Sequence, residues 1–340
     1  MKRIFKYSRN RTVVSKKTIP AWPTALLLLL PLTGAFAQRS DYQVKVLGFE
    51  EGLIHRNVFK VQQDRRGYLW LGAINGLDRY DGYRFIHYNR TDPQHTLPTE
   101  YVSDLHIDAH NHIWVAHPRQ MSLLLPEANR IVSVPLPDGT APSNLTEDAQ
   151  GRVWAALFDE KSGATRLQCL DTTDKKTLSI PVPGMYARRP MAALGKHLYA
   201  GAWENELWKI DAAGKVVQKM RLPAAGRQLS RIVHLQASGD SLFILCADSR
   251  VFTWQPASGI FSLHPVSAFI QDKGKAATLL AEPGGNVWVA GQNVFWHYNA
   301  SAGQVTDMDE PIRQSVKNYL NYRQILMDRS GVVWVTSDFG

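Results

Sequence analysis

The residues best suited to bind a ligand stand in succession at Trp203-Glu204-Asn205. An aromatic face stacks on the C–H groups of a sugar ring, while a carboxylate and an amide bond its hydroxyls. A large aromatic residue at a predicted turn is unusual, which favours ligand binding at Trp203. An ordinary solvated turn is the alternative interpretation at each position taken alone.

Four histidines, His106, His110, His112 and His117, could suggest a metal centre. Zinc requires three or four ligands that converge on one point. A strand rises about 3.3 Å per residue, so His112 and His117, at the two ends of one predicted strand, lie far apart. We interpret the four as surface and turn histidines and expect no metal site and no cofactor.

A glycan-active enzyme is the chemical alternative. It requires two carboxylates about 5 to 9 Å apart, whereas most acids here fall in predicted turns, where Asp bonds backbone N–H groups. The Ser-x-Asp-x-Gly-x-x-Trp turn of sialidase propellers is absent: one extra residue separates Asp64 from Gly67, and no Ser stands two residues before Asp64. The sequence also lacks a nucleophile elbow, a phosphate loop and a dinucleotide fingerprint. We expect no catalytic residue in this chain.

A repeat positions these residues. When the chain is aligned on one large residue per unit, the intervals are 44, 40, 45, 44, 45 and 46 residues. The aligned residues are Trp70, Trp114, Trp154, Tyr199, Phe243, Trp288 and Trp334. Such a period with several short strands per unit indicates propeller blades. A two-helix repeat is disfavoured, because Gly, Pro and Asp interrupt the chain every 8 to 12 residues. The predicted fold is an all-β, seven-bladed-type β-propeller of four-stranded blades over residues 57–340, with the seventh blade incomplete.

The blade order predicts which residues share a face. In a four-stranded blade, the turn between the second and third strands and the link to the next blade lie at the same end of the channel. We therefore predict a ring of ligand-binding residues there. Its members are Asn75, Arg119, Trp203, Glu204, Asn205, Asp248, Arg250, Gln292 and Asn293, with Asp338 at the equivalent position of the last repeat.

The first 37 residues have the composition of a secretory signal peptide. Seven basic residues and no acid precede a short apolar core at 25–32, and Ala35-Phe36-Ala37 is a small-x-small cleavage site. An uncleaved anchor is the alternative, but the run is shorter than the roughly 20 residues that span a bilayer. We expect export, with residues 38–56 as a strand and lead-in. Without the leader the chain has 32 basic and 30 acidic residues, a net charge of +2, so nothing indicates nucleic-acid binding.

The two cysteines fall in different predicted blades. Cys169 belongs to the third and Cys246 to the fifth, and non-adjacent blades do not touch. We expect two buried thiols rather than a disulfide. With about 300 residues after the leader, the chain is long enough to fold on an apolar core.

The last repeat stops after its second strand. Asp328 to Gly340 parallels Asp64 to Gly76, but the third and outer strands are missing, so we interpret the chain as a fragment of a longer protein. Gln43 to Leu47 is the predicted outer strand of this blade. Because its third strand is missing, we expect the ring to be open or strained between the sixth and first blades.

The sequence resembles the two-component regulator propeller repeat. The resemblance rests on Gly52-Leu53, on Asp64…Gly67-Tyr68-Leu69-Trp70-Leu71-Gly72 and on Asn75-Gly76-Leu77-Asp78-Arg79-Tyr80-Asp81-Gly82. It extends over residues 41–340, is strong in the first and last repeats, and is diffuse between them. The fourth and fifth repeats depart most, since they lack Asp-x-x-Gly and carry Tyr199 and Phe243.

This resemblance implies a periplasmic sensor region of a hybrid histidine kinase, anchored in the inner membrane through its parent protein. It implies a glycan or oligosaccharide ligand, a following propeller, an immunoglobulin-like domain and a homodimeric parent as partners. The kinase itself is absent from this chain. The alternative is a stand-alone exported propeller that binds carbohydrate or protein.

Overall fold

The computed structural model describes residues 43–93, 95–170, 178–184, 188–203, 205–224, 230–270, 273–310, 312 and 321–337, and the backbone of 4–8. These residues form an all-β propeller of four-stranded antiparallel sheets. Six blades are each built from one continuous segment, in the order inner, second, third and outer strand. The predicted fold class and repeat are confirmed, but six blades are complete in consecutive sequence, not seven.

The strands of the first three blades follow the predicted segments closely. Blade 1 has β3 (Val58–Gln63), β4 (Leu69–Ala73), β5 (Gly76–Tyr80) and β6 (Phe85–Tyr88). Blade 2 has β7 (Asp104–Ile107), β8 (Ile113–Ala116), β9 (Met121–Leu125) and β10 (Arg130–Val134). Blade 3 has β11 (Thr140–Glu147), β12 (Val153–Asp159), β13 (Thr165–Cys169) and β14 (Ser179–Val182).

The next three blades continue the same order. Blade 4 has β15 (Met191–Leu194), β16 (His197–Gly201), β17 (Glu206–Ile210) and β18 (Val216–Arg221). Blade 5 has β19 (Ile232–Ser238), β20 (Ser241–Cys246), β21 (Val251–Trp254) and β22 (Phe261–Leu263). Blade 6 has β23 (Lys275–Ala281), β24 (Val287–Gln292), β25 (Val294–Asn299) and β26 (Gln304–Asp307). Short helical turns lie at Pro126–Ala128 and at Ser267–Ile270.

A further sheet combines the two ends of the described chain, and we call it the closing sheet. Its strands are β27 (Tyr322–Met327), β28 (Val333–Ser337), β1 (Ile4–Ser8) and β2 (Gln43–Leu47). The order is β2-β1-β28-β27, so Gln43–Leu47 is the outer strand, as the sequence predicted. Ile4–Ser8 pairs antiparallel with both neighbours and takes the position of the third strand. The predicted cleavage site at 35–37 lies outside the described residues, and the division into leader, lead-in and propeller stays a prediction.

An aspartate and a tryptophan fix the turn between the inner and second strands, and we call this pair the clasp. In blade 1, Asp64 Oδ1 accepts the N–H groups of Arg66 and Tyr68, each at 2.9 Å. Its Oδ2 accepts the indole N–H of Trp70 at 2.9 Å. Gly67 follows with a φ of 92°, a conformation that most side chains disfavour. One carboxylate thus satisfies three donors of a turn that ends in a buried tryptophan.

The clasp recurs with the same spacing. The indole distances are 2.9 Å for Asp108–Trp114, 2.7 Å for Asp148–Trp154 and 2.8 Å for Asp328–Trp334. In blade 6 the longer Glu282 accepts the indole N–H of Trp288. The sequence predicted the carboxylate-to-backbone bonds of the turn but not the indole bond.

The apolar core lies between neighbouring blades. Seven clusters of buried side chains fill the six contacts between neighbouring sheets and the contact that completes the ring. The cluster between the closing sheet and blade 1 includes Leu47, Val58, Leu71 and Trp334. The amide of Gln324 also accepts the N–H of Val61, at 2.8 Å. In the structure with residues 4–8 in place the ring is closed, because Ile4–Ser8 fills the third-strand position and β27 packs against β3. The expectation of an open ring concerns the chain without its leader and stays a prediction.

Candidate functional site

The blade order defines two faces around the central channel. The upper face carries the turns between second and third strands and the links that enter each inner strand. The lower face carries the clasp turns. The predicted ligand-binding residues belong to the upper face. The structure describes all of them except Glu204 and Asp338, which lie outside the described residues.

Trp203 presents an aromatic surface on the upper face. It follows β16, and 40% of it is exposed. Gly184, in the link from blade 3, lies against the ring so closely that a Cβ there would be 1.8 Å from Trp203 Cε3. The indole therefore rests on backbone on one side, and the side chain stays partly exposed.

Buried polar groups support this aromatic surface. The guanidinium of Arg189 donates to the carbonyls of Ala202, Pro183 and Gly184, at 2.9, 2.6 and 3.2 Å. Asn205 is also buried, and its Nδ2 donates to the carbonyl of Leu222 at 2.6 Å. Its Oδ1 has no hydrogen-bond partner among the described residues. We call Trp203, Gly184, Arg189 and Asn205 the Trp203 platform.

The other predicted residues divide between structural roles and solvent. Arg250 is only 3% exposed: its Nε donates to Asp248 at 2.6 Å and its Nη1 to the carbonyl of Ala224 at 2.9 Å. That pair holds a link in place rather than facing a ligand. The structure also places three predicted residues at the surface. These are Arg119, in an exposed ion pair with Glu160 at 2.6 Å, and the exposed Asn75 and Gln292.

Asn293 shapes its turn. Its φ of 58° is left-handed, which Asn tolerates better than most residues. The structure therefore brings Trp203 and Asn205 together, and it does not gather the remaining predicted residues into one site.

A second group of residues lies where the channel opens on the upper face, and we call it the channel mouth. The rings of Phe59 and Tyr101 are 5.2 Å apart between centroids, and Tyr101 is 37% exposed. The guanidinium of Arg323 lies 5.7 Å from the centre of the Phe59 ring. Phe59 and Arg323 sit where the pairing register of β3 and of β27 shifts, which marks a β-bulge. Sequence reasoning missed this group because it searched the turns and not the starts of the inner strands.

Below the mouth, one residue from each inner strand except that of blade 4 lies at the same level. In the strand register, each of these residues lies opposite a residue of the second strand. That residue comes two positions after the large aromatic residue on which the repeats were aligned. Members of this level are Lys60, Asp104, Ser143, His234, Thr278 and Gln324. Lys60 Nζ lies 3.2 Å from Asp104 Oδ1. Burial, together with the positive charge of Lys60, lowers the pKa of His234 to about 3, so its imidazole is uncharged at neutral pH.

A chain of side-chain oxygens joins successive inner strands, and we call it the belt. Each oxygen accepts a backbone N–H of the next blade around the ring. The bonds are Gln324 to Val61 (2.8 Å), Gln62 to Ile107 (2.7 Å), Asp104 to Leu145 (3.0 Å) and Gln236 to Ala281 (2.9 Å). The belt satisfies inner-strand N–H groups that face the channel and have no strand to pair with.

Three of the four histidines considered as metal ligands lie beside separate partners, and the ring of His110 stacks on that of His112 at 5.8 Å. His106 Nε2 lies 3.6 Å from Glu147, and His112 Nδ1 lies 3.2 Å from Asp108. His117 is buried, with Nδ1 at 3.0 Å from the carbonyl of Tyr101. Within the described ranges, no three His, Cys, Asp or Glu side chains are grouped as metal ligands. No helix in the described part of the chain is long and apolar enough to cross a bilayer.

No family model matches the chain, and no curated protein matches it either. Solved structures do. The extracellular domain of a putative hybrid two component system from B. thetaiotaomicron has a TM-score of 0.63 at 17% identity, over 85% of this chain and 38% of that one. A second such domain from the same organism has a TM-score of 0.61 at 15% identity, over 86% and 40%. A catalytically inactive virginiamycin B lyase from Staphylococcus aureus, solved with quinupristin, has a TM-score of 0.62 at 13% identity, over 83% and 95%.

At these identities the likeness shows a shared propeller fold. The chain spans about 38% of the length of the first sensor domain. Extracellular sensor domains of two-component systems are thus among its structural neighbours, alongside an enzyme.

Proposed function

We propose that this chain is the ligand-sensing propeller of an exported two-component sensor and that its ligand is a glycan or a glycan breakdown product. The Trp203 platform is the observation that carries the proposal. A tryptophan held flat on backbone at the upper face offers a preformed surface for stacking a sugar ring. Preorganisation lowers the entropic cost of binding, so a rigid platform favours recognition.

The wider assignment follows from the repeat and from the neighbours. The sensor domains of B. thetaiotaomicron share the fold, and the chain corresponds to less than half of each. A second propeller, an immunoglobulin-like domain, a membrane helix and a kinase would therefore belong to the parent protein. The leader at 1–37 directs the chain to the periplasm in this proposal. Removal of the leader would also remove Ile4–Ser8, so the closing sheet then counts as a seventh blade that lacks its third strand.

Binding without catalysis is the second part of the proposal. The lyase shares the fold, so the described acids and bases need to be weighed. Asp64, Asp108, Asp148 and Asp328 are occupied by clasp bonds and lie on the lower face. An imidazole with a pKa near 3, as at His234, is a weak base at neutral pH.

The proposal is tested by binding of the exported chain to an array of plant, microbial and host oligosaccharides, followed by calorimetry with each positive. Trp203→Ala should weaken binding at least tenfold and leave the far-UV spectrum unchanged. Tyr83→Ala is the matched control, because Tyr83 is a 95% exposed aromatic residue on the lower face and should leave affinity unchanged. Equal affinity in wild type and Trp203→Ala would reject the platform, and a negative array would reject glycan sensing.

A further inference from the structure

The belt determines which end of each amide faces the channel. Gln324 uses Oε1 to accept the N–H of Val61, and Gln62 uses Oε1 to accept the N–H of Ile107. The acceptor end of each amide is therefore directed to backbone. Neither Nε2 has a hydrogen-bond partner among the described residues, so both NH₂ groups remain as donors.

Lys60 adds a charged donor between these amides. Gln324, in the closing sheet, accepts the N–H of Val61, the residue after Lys60. Gln62 lies two positions after Lys60 on the same strand. The ammonium has one described ionic partner, Asp104, and can make three hydrogen bonds. Its side chain is 31% exposed, so it remains accessible from the channel.

The acceptors at this level are already occupied. Asp104 Oδ1 accepts the N–H of Leu105 at 2.8 Å and lies beside Lys60, while Oδ2 accepts the N–H of Leu145 at 3.0 Å. At this level Lys60 is positive and Asp104 is negative, and Arg323 adds a guanidinium at the mouth. Lys60 and the two amides therefore offer donors to the channel, which suits an acceptor ligand that carries negative charge.

The mouth above provides surfaces for the rest of such a ligand. Phe59 and Tyr101 present aromatic rings at the entrance, and Tyr101 is partly exposed. Sugar rings stack on such surfaces, while a carboxylate accepts from ammonium and amide groups.

We propose that the channel binds the carboxylate of an acidic sugar, a uronic acid unit, through Lys60, Gln324 and Gln62, with the sugar ring against Phe59 and Tyr101. The inference rests on the proposed glycan-sensing function and adds the ligand's charge and a second point of contact, separate from the Trp203 platform. His234, at the same level, offers an uncharged imidazole to the ligand.

The experiment measures dissociation constants of the full exported chain by ligand-observed NMR with sodium glucuronate, sodium galacturonate, glucose and sodium acetate. Lys60→Met removes the charge at nearly constant length. Gln324→Glu keeps an oxygen for the N–H of Val61 but removes the donor and adds a negative charge. Each should weaken glucuronate or galacturonate binding at least tenfold. Lys215→Met, an exposed lysine on the lower face, is the matched control and should not change it.

Several results would overturn the inference. Glucuronate binding that is equal in wild type and Lys60→Met, or that is no tighter than glucose binding, excludes the charged site. Acetate binding as tight as glucuronate binding excludes a sugar acid as the ligand. Glycan binding that depends on Trp203 but not on Lys60 overturns only the channel site and leaves the proposed sensor function standing. Thermal unfolding of each variant confirms that a loss of binding is not a loss of fold.

Discussion

Two regions of the ring solve the same structural problem differently. Blades 1 to 3 and the closing sheet connect inner and second strands through a clasp, in which a carboxylate satisfies two backbone N–H groups and an indole. Blades 4 and 5 use two-residue hairpins instead, at Gly195-Lys196 and Gly239-Asp240. Both glycines have a φ of 56°, as the primed turns of such hairpins require. A hairpin this short leaves no inward N–H groups to satisfy, so the acid and the tryptophan are both dispensable.

The comparison shows which part of the repeat is essential. A large aromatic residue is buried at every aligned position, including Tyr199 and Phe243. The clasp is added only where the turn is long. The two repeats that depart most from the pattern keep the fold, and blade 4 carries the Trp203 platform on its upper face.

We expect the largest difference between the two regions when one clasp is removed. Asp64→Ala leaves a fully buried indole N–H and two turn N–H groups without their acceptor. Each unsatisfied buried donor costs on the order of 1 kcal/mol or more, so the free energy of unfolding should fall by about 3 kcal/mol. Urea denaturation followed by far-UV circular dichroism measures this change.

Asp240→Ala is the control from the unclasped region. Asp240 is exposed in the hairpin of blade 5 and should change the free energy of unfolding by less than about 0.5 kcal/mol. Equal losses for the two variants would show that the clasp is not what stabilises blade 1.

Lowering the pH should destabilise the two regions over different pH ranges. Burial lowers the pKa of His264, which packs against Tyr298, to about 4. The unfolded state therefore takes up this proton first, and stability is lost as pH falls from about 6.5 to 4. Burial disfavours ionisation of Asp108 and Asp328, but the indole, backbone and side-chain hydrogen bonds outweigh it, so the pKa of each lies below 3.8. The clasps therefore keep their contribution until the pH falls below about 3.8.

Denaturation at pH 7 and pH 4.5 tests this difference. Asn at position 264 keeps an acceptor near the N–H of Val266 but does not titrate. The wild type should lose about 2 kcal/mol more than His264→Asn between these pH values. Parallel losses in the two proteins would contradict the assignment.

The sequence predicted the parts of this molecule that depend on local pattern. The period placed all seven aligned aromatic residues on second strands, and Gln43 to Leu47 was correctly assigned to the outer edge of the closing sheet. The role of Arg250 was not foreseeable, because its burial depends on the carbonyl of Ala224, in a link whose path is set by packing.

The channel could not be predicted for a different reason. A β-bulge shifts the register of β3 between Val58 and Lys60, which determines the placement of Phe59 and Lys60 around the channel. Bulges change side-chain direction by one residue and have no reliable signal in a single sequence. The channel mouth and the belt therefore emerged only from the coordinates.

A substitution in the Trp203 platform of blade 4 should have a smaller effect on stability. In Gly184→Ala the new Cβ would collide with the Trp203 ring, and a φ of 94° adds backbone strain. We expect a loss of about 1.5 kcal/mol beyond that of Gly82→Ala, which has a φ of 100° but open space around it. Denaturation measures the difference, and tenfold weaker glycan binding should accompany it. Equal stabilities would mean that Trp203 moves aside without cost.

The smallest expected difference between the two regions is the rate at which their buried thiols are labelled. Both cysteines are buried and neither forms a disulfide with the other, Cys169 in clasped blade 3 and Cys246 in unclasped blade 5. Burial, with the charge of Asp248, raises the pKa of Cys246 to about 12, so in the folded protein Cys246 should react with neither iodoacetamide nor a disulfide reagent at pH 8. Cys169 is shielded from both reagents by its burial. In submolar urea, Cys246 should label severalfold sooner than Cys169, as peptide mass spectrometry would show. The reverse order would contradict a weaker blade 5.

The belt has a direction, because each side-chain oxygen accepts a backbone N–H of the blade that follows. Its bonds run unbroken from the closing sheet through blade 1 and blade 2 to blade 3, and those are the four sheets with an aspartate clasp. The strongest arc of the ring thus spans the place where residues far apart in sequence meet. A circularly permuted chain, with residue 337 linked to residue 4 so that all four strands of the closing sheet are kept, and with new ends between blades 3 and 4, would make this arc one continuous segment. Such a chain should fold faster, since its most stable contacts would become local in sequence.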